Sequence, residues 1–102
     1  MNYQVRFTRE AEDDLARLYD FILQRDLTDW SLAQRAFDAI RRGIRTLEFS
    51  PFTCRKVAPD TPFLRELVIA FGASGYVALF EIDTHDIVTV LAVRHQREDD
   101  YR

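Results

Sequence analysis

The chain has 102 residues, of which 47% are hydrophobic and 13% aromatic, and this predicts one globular domain over residues 1–102 rather than a disordered chain. Its net charge of −3 gives no general attraction to nucleic acid, and no direct sequence-specific nucleic-acid binding is expected. No apolar run is long enough to cross a membrane, and a single cysteine excludes an internal disulfide, which favours a cytoplasmic protein.

The first half of the chain predicts a strand and a helical hairpin. Residues 2–8 alternate apolar and polar side chains, as in a half-buried strand. Thr8 is placed to cap a helix running to about Arg25, and after a break at 26–29 Asp29 is placed to cap a second. The apolar stripe of the second helix comprises Trp30, Ala33, Phe37, Ile40, Ile44 and Leu47. The residues expected to face the sheet or each other are Leu15, Leu18, Ile22, Phe37, Ile40, Ile44 and Leu47.

The second half predicts a three-stranded meander. Residues 50–62 hold all three prolines and are predicted to form an irregular loop. Apolar segments follow at 64–71, 76–82 and 87–93, and the links between them are short enough for hairpins. The order β-α-α-β-β-β predicts an α+β fold, a small and mostly antiparallel sheet covered on one face by the helical hairpin.

Most polar clusters in the sequence have a structural explanation. No glycine-rich phosphate loop and no metal-ligand spacing occurs, so no cofactor and no metal are expected. Acids at a helix start are favoured by the helix dipole, and aspartates are common in turns. The groups interpreted in this way are Glu10, Glu12, Asp13 and Asp14 at the start of the first helix, Asp83, His85 and Asp86 in a hairpin turn, and Cys54 in the loop.

The strongest candidate site is the end of the last strand. This nearly all-apolar segment leads directly into Arg94, His95, Gln96 and Arg97, and Arg65 is expected on the same sheet. Alternation sends Arg94 and Gln96 to one side and His95 and Arg97 to the other. Guanidinium groups near a histidine can bind phosphate and move a proton. A solvated strand end, neutralised by the acids that follow it, explains the same residues without any function.

Three segments carry a family resemblance: YQVRFTREAEDDLARLYDFI near the start, LRELVIA in the middle and VLAVRHQREDDY near the end. In their order and spacing they resemble the RelE/ParE superfamily of bacterial toxins, and more closely its ParE-type, plasmid-stabilisation branch. The resemblance implies the fold predicted above and the toxin of a type II toxin–antitoxin system. It also implies a cognate ParD-like antitoxin with a ribbon-helix-helix domain as partner.

The two branches of this superfamily imply different activities. ParE-type toxins inhibit DNA gyrase by binding, whereas RelE-type toxins cleave messenger RNA in the ribosome with basic residues on the sheet. Residues 67–80 contain no basic residue, although a nuclease needs fixed cations for its transition state. We therefore expect a gyrase-binding toxin without catalytic residues.

Two alternatives stay open: a ribosome-dependent endoribonuclease, and a member that binds its antitoxin without toxicity. For the nuclease, the resemblance leaves His95 as general acid or base, with a supporting set of Arg65, Arg94, Arg97 and Tyr101. For a binding toxin, the residues expected to contact the antitoxin or the target are Arg65, Arg94, His95, Gln96 and Arg97.

Overall fold

The structure is a computed structural model, and it describes residues 2–25, 30–72, 74–83 and 86–96. Its elements are, in chain order, β1 (Gln4–Phe7), α1 (Arg9–Arg25), α2 (Trp30–Arg45), β2 (Arg55–Lys56), β3 (Leu64–Phe71), β4 (Ser74–Ile82) and β5 (Ile87–His95). Two single 3-10 turns, Thr46–Glu48 and Pro51–Thr53, connect α2 to β2. The predicted α+β order is confirmed, whereas the proposed cap at Asp29 lies outside the described residues.

The five strands form one sheet in the order β1-β5-β4-β3-β2. β1 runs parallel to β5, and the other neighbouring strands are antiparallel. The prediction of an irregular loop over 50–62 is wrong at β2, where Arg55 pairs with Glu66 and Lys56 with Arg65. A two-residue strand is too short to produce the alternation by which strands are recognised in a sequence.

Thr8 joins β1, α1 and β5 at one point. Its backbone N–H donates to the carbonyl of Val90 at 3.0 Å, which ends the pairing of β1 with β5. Its hydroxyl Oγ1 accepts the N–H of Ala11 at 3.1 Å and lies 3.3 Å from the carbonyl of Leu91. The predicted helix cap is therefore confirmed, and the same hydroxyl also fixes the start of α1 against β5.

A β-bulge interrupts the pairing of β5 with β4. Leu79 pairs with Ala92 but Phe80 pairs with Val90, so Leu91 is the extra residue. A bulge bends its strand and changes which residues face each side of the sheet. From Ala92 onward, each side chain of β5 therefore lies on the face of the sheet opposite to the one it would occupy in a strand without the bulge.

Asp14 connects α1 to this bulge. Its Oδ2 accepts the backbone N–H of Val93 at 3.0 Å, while its Oδ1 lies 3.8 Å from Arg17 Nη2. The interpretation of the acids as a solvated helix start is therefore wrong for Asp14, although it holds for the three others, which are exposed: Glu10, Glu12 and Asp13.

Both helices pack on one face of the sheet, α1 mainly on β5 and α2 mainly on β3. The buried helix residues include Leu18, Ile22 and Ile40, and Leu47 in the 3-10 turn after α2 is buried as well. The sheet contributes Ile69, Tyr76, Ala78, Phe80, Val88, Val90 and Val93. Within the described part of the chain, no helix is long and apolar enough to cross a membrane.

The predicted apolar stripe is wrong at Trp30 and confirmed elsewhere. Leu15, Phe37 and Ile44 pack against the core as expected, although they are only partly buried. Trp30, the first residue of α2, is 69% exposed. The ring of Phe37 packs edge-on against the ring of Tyr19, with centroids 4.7 Å apart, so it joins the two helices.

The contrast between buried and exposed positions of α2 gives a stability prediction. Ile40→Ala is expected to lower the free energy of unfolding by about 2–5 kcal/mol, because the cavity opens at a fully buried helix–sheet contact. Trp30→Ala, at an exposed position of the same helix, is the control, with an expected change within about 0.5 kcal/mol. Urea unfolding followed by far-UV circular dichroism measures both. Equal losses in the two variants would contradict this assignment of the core.

Candidate functional site

The end of β5 brings part of the predicted site onto the sheet. β5 extends two residues beyond the predicted end at Val93, so that Arg94 and His95 still belong to the strand. The backbone N–H of Gln96 donates to the carbonyl of Gly75 at 2.8 Å, which continues the attachment to β4. The other predicted members, Arg97 and Tyr101, lie outside the described residues.

Arg94 and His95 lie on opposite faces of the sheet. His95 pairs with Tyr76 of the core, and the two rings meet edge to face at 5.5 Å. Arg94 pairs with Val77, which is buried but lies outside the core under the helices. The predicted separation of Arg94 from His95 is thus confirmed, and an anion bound to Arg94 would lie across the sheet from the imidazole of His95.

Arg65 holds the loop that precedes β3. Its Nε donates to the carbonyl of Pro62, and its Nη1 donates to the carbonyls of Phe52 and Cys54, each at 2.8 Å. The guanidinium also lies 5.2 Å from the centre of the Phe52 ring, within range of a cation–π contact. These contacts give Arg65 a structural role that the sequence does not reveal.

The described members of the predicted cluster do not converge on one point. Arg65 pairs with Phe80 and His95 pairs with Tyr76, so the two are separated by four residues of β4, or about 13 Å along the strand. Arg94 lies on the other face. The roles assigned to these residues from the sequence stay predictions. In the described part of the chain, however, Arg65, Arg94 and His95 do not lie close enough together to bind one phosphate group.

The hairpin of β3 and β4 is uncharged where the two strands join. Residues 67–80, which include the turn between the two strands, contain no basic residue. Next to this turn the backbone of Gly75 approaches Ile69 so closely that a Cβ at Gly75 would lie 2.0 Å from the carbonyl oxygen of Ile69. No side chain fits there, so the hairpin can only close with glycine at this position. Val68, on the face away from the helices, is 44% exposed. This part of the sheet presents apolar surface and backbone instead of cations.

Sequence reasoning missed an exposed aromatic surface, the phenylalanine patch, formed by Phe52 and Phe63. These side chains are 46% and 53% exposed, and their rings meet edge to face at 6.1 Å. Phe49, three residues before Phe52, is also exposed. Exposed aromatic clusters are typical of surfaces that bind other proteins. The sequence feature that could have indicated this surface is the presence of three phenylalanines in a loop segment that has neither helical nor strand periodicity.

The outer edge of β3 is open next to this patch. β2 pairs with β3 only at Arg65 and Glu66, so in the described chain no strand pairs with the outer side of residues 67–71. An open edge offers backbone donors and acceptors on which the strand of another chain can pair. The patch and the edge together form a surface suited to an apolar, extended partner segment.

Two minor candidates keep their structural interpretation. Burial raises the pKa of the Cys54 thiol, and the opposing effect of Arg65 is smaller, so the thiol stays protonated instead of becoming a reactive thiolate. Asp83 lies 3.8 Å from Arg6, and Asp86 has the positive φ of 59° typical of a turn; His85 is outside the described residues. In the part of the chain that the structure describes, no group of three or more ligand side chains is placed to hold a metal ion.

Comparison with known proteins identifies one family. The model of the family described as the ParE toxin of the type II toxin–antitoxin system parDE matches residues 5–100. Among solved structures, the "Chromosomal ParDE TA system from P. aeruginosa" superimposes with a TM-score of 0.68 at 19% identity, over 91% of this chain and 95% of that chain. At this identity the likeness shows the fold alone. Among curated proteins, none matches the sequence significantly.

The role of Arg65 can be tested by comparison with its neighbour Arg55. Arg65→Ala is expected to cost about 1–3 kcal/mol, because three loop carbonyls lose a charged donor. Arg55→Ala breaks an exposed ion pair with Glu66 and should cost less than about 1 kcal/mol. Urea unfolding gives both values, and hydrogen exchange should accelerate over residues 52–62 in the Arg65 variant alone. Unchanged exchange there would refute the proposed contacts.

Proposed function

The chain belongs to the ParE toxin family of type II toxin–antitoxin systems, and we propose that it is the toxin of such a pair, neutralised by a cognate antitoxin and acting by binding to DNA gyrase. The observation that carries the proposal is the family match over residues 5–100, which covers both helices and all the described strands except Gln4, the first residue of β1. The toxin would act in the cytoplasm as a single domain over residues 1–102.

The antitoxin is proposed to bind the phenylalanine patch and the open edge of β3. Support comes from the exposed rings of Phe52 and Phe63, which can bury apolar anchors of the partner, and from the unpaired side of residues 67–71, where an extended segment can add a strand. A ParD-like antitoxin, whose tail follows a ribbon-helix-helix domain, is the partner that the family suggests for this surface.

The end of β5 is proposed as a second contact region for the antitoxin or the target. Its members are the predicted residues Arg94, His95, Gln96 and Arg97. β5 lies two strands from β3, or about 10 Å across the sheet. Ile69 of the open edge and His95 both pair with Tyr76, so an extended segment of a few residues can reach from the open edge of β3 to this end, where the arginines can pair with acidic side chains of the partner.

Binding is better supported than RNA cleavage. A nuclease concentrates cations around the phosphate that it cleaves, whereas Arg65 is engaged with loop carbonyls and Arg94 is separated from His95 by the sheet. An apolar patch and an open edge instead suit contact with a large protein. We therefore favour gyrase inhibition by binding over the nuclease alternative.

Antitoxin binding can be tested by removing the patch. Using the antitoxin encoded next to this chain, the double variant Phe52→Ala, Phe63→Ala is expected to weaken binding by roughly 30-fold, as the loss of central aromatic anchors does. Phe21→Ala, Trp30→Ala removes two aromatic side chains that are somewhat more exposed and lie on the helices, and should change the Kd less than about threefold. Isothermal titration calorimetry measures the Kd of both variants.

The complex of the unaltered toxin with its antitoxin should also form with a negative heat-capacity change, because apolar surface is buried. Equal weakening of antitoxin binding in the two double variants would refute the patch as the antitoxin site.

His95 distinguishes a binding toxin from a nuclease. His95→Phe keeps a ring against Tyr76 but cannot transfer a proton, and His95→Ala removes both the ring and the proton carrier. For a gyrase-binding toxin we expect changed plasmid supercoiling, no specific messenger-RNA cleavage, and only partial loss of growth arrest in either variant. If His95 were instead the general acid or base of a nuclease, its loss would lower the rate of messenger-RNA cleavage about 10²–10⁴-fold. Specific cleavage by the unaltered toxin that disappears in His95→Phe would overturn the gyrase proposal in favour of the nuclease.

A further inference from the structure

The outward side of α2 carries a concentrated positive charge. Arg35, Arg41, Arg42 and Arg45, named here the arginine face, are exposed and lie on one side of the helix, opposite the buried residues. At 100° per residue these four fall within about a third of the helix circumference. Arg41, Arg42 and Arg45 line a shallow depression of about 300 Å³ together with Asp38.

The arginine face is only partly neutralised. Asp38 is the one acid of α2, and its Oδ1 is already engaged by Arg41 and by the side-chain amide of Gln34. Within the described residues, Arg35, Arg42 and Arg45 form no ion pair. α2 thus carries +3, whereas α1 has five acids against three arginines and the whole chain has −3.

Helix stability explains part of this arrangement. Arg42 and Arg45 lie in the last turn of α2, where a positive charge is favoured by the helix dipole. The dipole does not account for Arg35, which lies two turns earlier on the same side. Nor does it account for a depression lined by three guanidinium groups, a geometry that suits an anion.

We infer that the arginine face binds the sugar–phosphate backbone of duplex DNA without reading its sequence. Arg35 and Arg45 are ten residues apart, or about 15 Å along the helix, over which one strand of B-DNA presents about four phosphates. Guanidinium groups bind phosphate oxygens in pairs and need no base contact to do so. The acidic net charge of the chain hides this local attraction.

The composition of the surface favours DNA over an acidic protein segment. Interfaces between proteins have an apolar centre, but between Arg35 and Arg45 no large hydrophobic side chain is exposed. Interfaces with DNA are polar and positively charged, as this one is. The inference goes beyond the proposed function and does not rest on it, because the arginine face shares no residue with the phenylalanine patch or with the end of β5.

The test measures the binding of a short fluorescein-labelled duplex by fluorescence anisotropy. Between about 50 and 200 mM salt, the unaltered protein should show a slope of log affinity against log salt of roughly −3, as expected for three to four phosphate contacts. The triple variant Arg35→Gln, Arg42→Gln, Arg45→Gln should bind at least tenfold more weakly, with a slope near zero. The corresponding lysine variant should keep most of the slope, because it keeps the charge.

A second triple variant separates local from overall charge. Arg9→Gln, Arg17→Gln, Arg25→Gln removes three arginines of α1, gives the same net charge as the first, and should bind DNA as the unaltered protein does. Circular dichroism checks that each variant is folded. If the first triple variant does not fold, the single change Arg42→Gln should still reduce the slope by about one.

Three results would overturn the inference. The first is no DNA binding at the lowest salt, and the second is an equal loss of DNA affinity in the two triple variants. The third is that the arginine-face variant loses affinity for the antitoxin while its DNA binding is unchanged, which would assign the arginine face to an acidic protein partner. Because the assay contains no gyrase and no antitoxin, its failure leaves the proposed toxin function standing. Failure of the supercoiling assay likewise leaves this inference standing.

Discussion

The fold depends on how the bulge in β5 is stabilised. A bulge leaves backbone groups without their ladder partners, and an unsatisfied buried group costs about 1–3 kcal/mol. Here the carboxylate of Asp14 accepts the N–H of Val93, and the hydroxyl of Thr8 lies within hydrogen-bonding distance of the carbonyl of Leu91. Both partners come from the first two turns of α1 and the cap residue before it, so α1 and β5 can only be correctly placed together.

The bulge also decides where the end of β5 presents its side chains. Val88 and Val90 face the helices, and an unbroken strand would send Ala92 and Arg94 to the same side. With Leu91 as an extra residue, Val93 enters the core instead, His95 meets Tyr76 under the helices, and Arg94 reaches the open face. Alternation alone separates Arg94 from His95, and the inserted residue decides that the imidazole takes the helix side of the sheet and the guanidinium the other side.

Local patterns predicted the elements, and contacts distant in sequence decided the site. The alternation and spacing of apolar residues predicted β3 to the residue and α1 to its end at Arg25, because those signals lie within each segment. They did not predict the bulge, the pairing of β2, or the three carbonyls that engage Arg65. Each of these joins residues whose proximity arises only in the folded sheet. The exposure of Trp30 was mispredicted as well, since helical spacing does not say at which residue of a helix the buried contacts begin.

The proposed surfaces are linked through Ile69. On one side α2 approaches so closely that a Cβ at Gly43 would lie 2.7 Å from the Ile69 side chain, and on the other a Cβ at Gly75 would meet its carbonyl. The first contact fixes α2, and with it the arginine face, against β3. The second fixes the hairpin, and with it the open edge beside the phenylalanine patch. Because packed interiors transmit small shifts instead of absorbing them, a partner that pairs with the edge of β3 acts on the strand that supports α2. The open edge of β3 and the arginine face are therefore connected through a single residue of β3, Ile69.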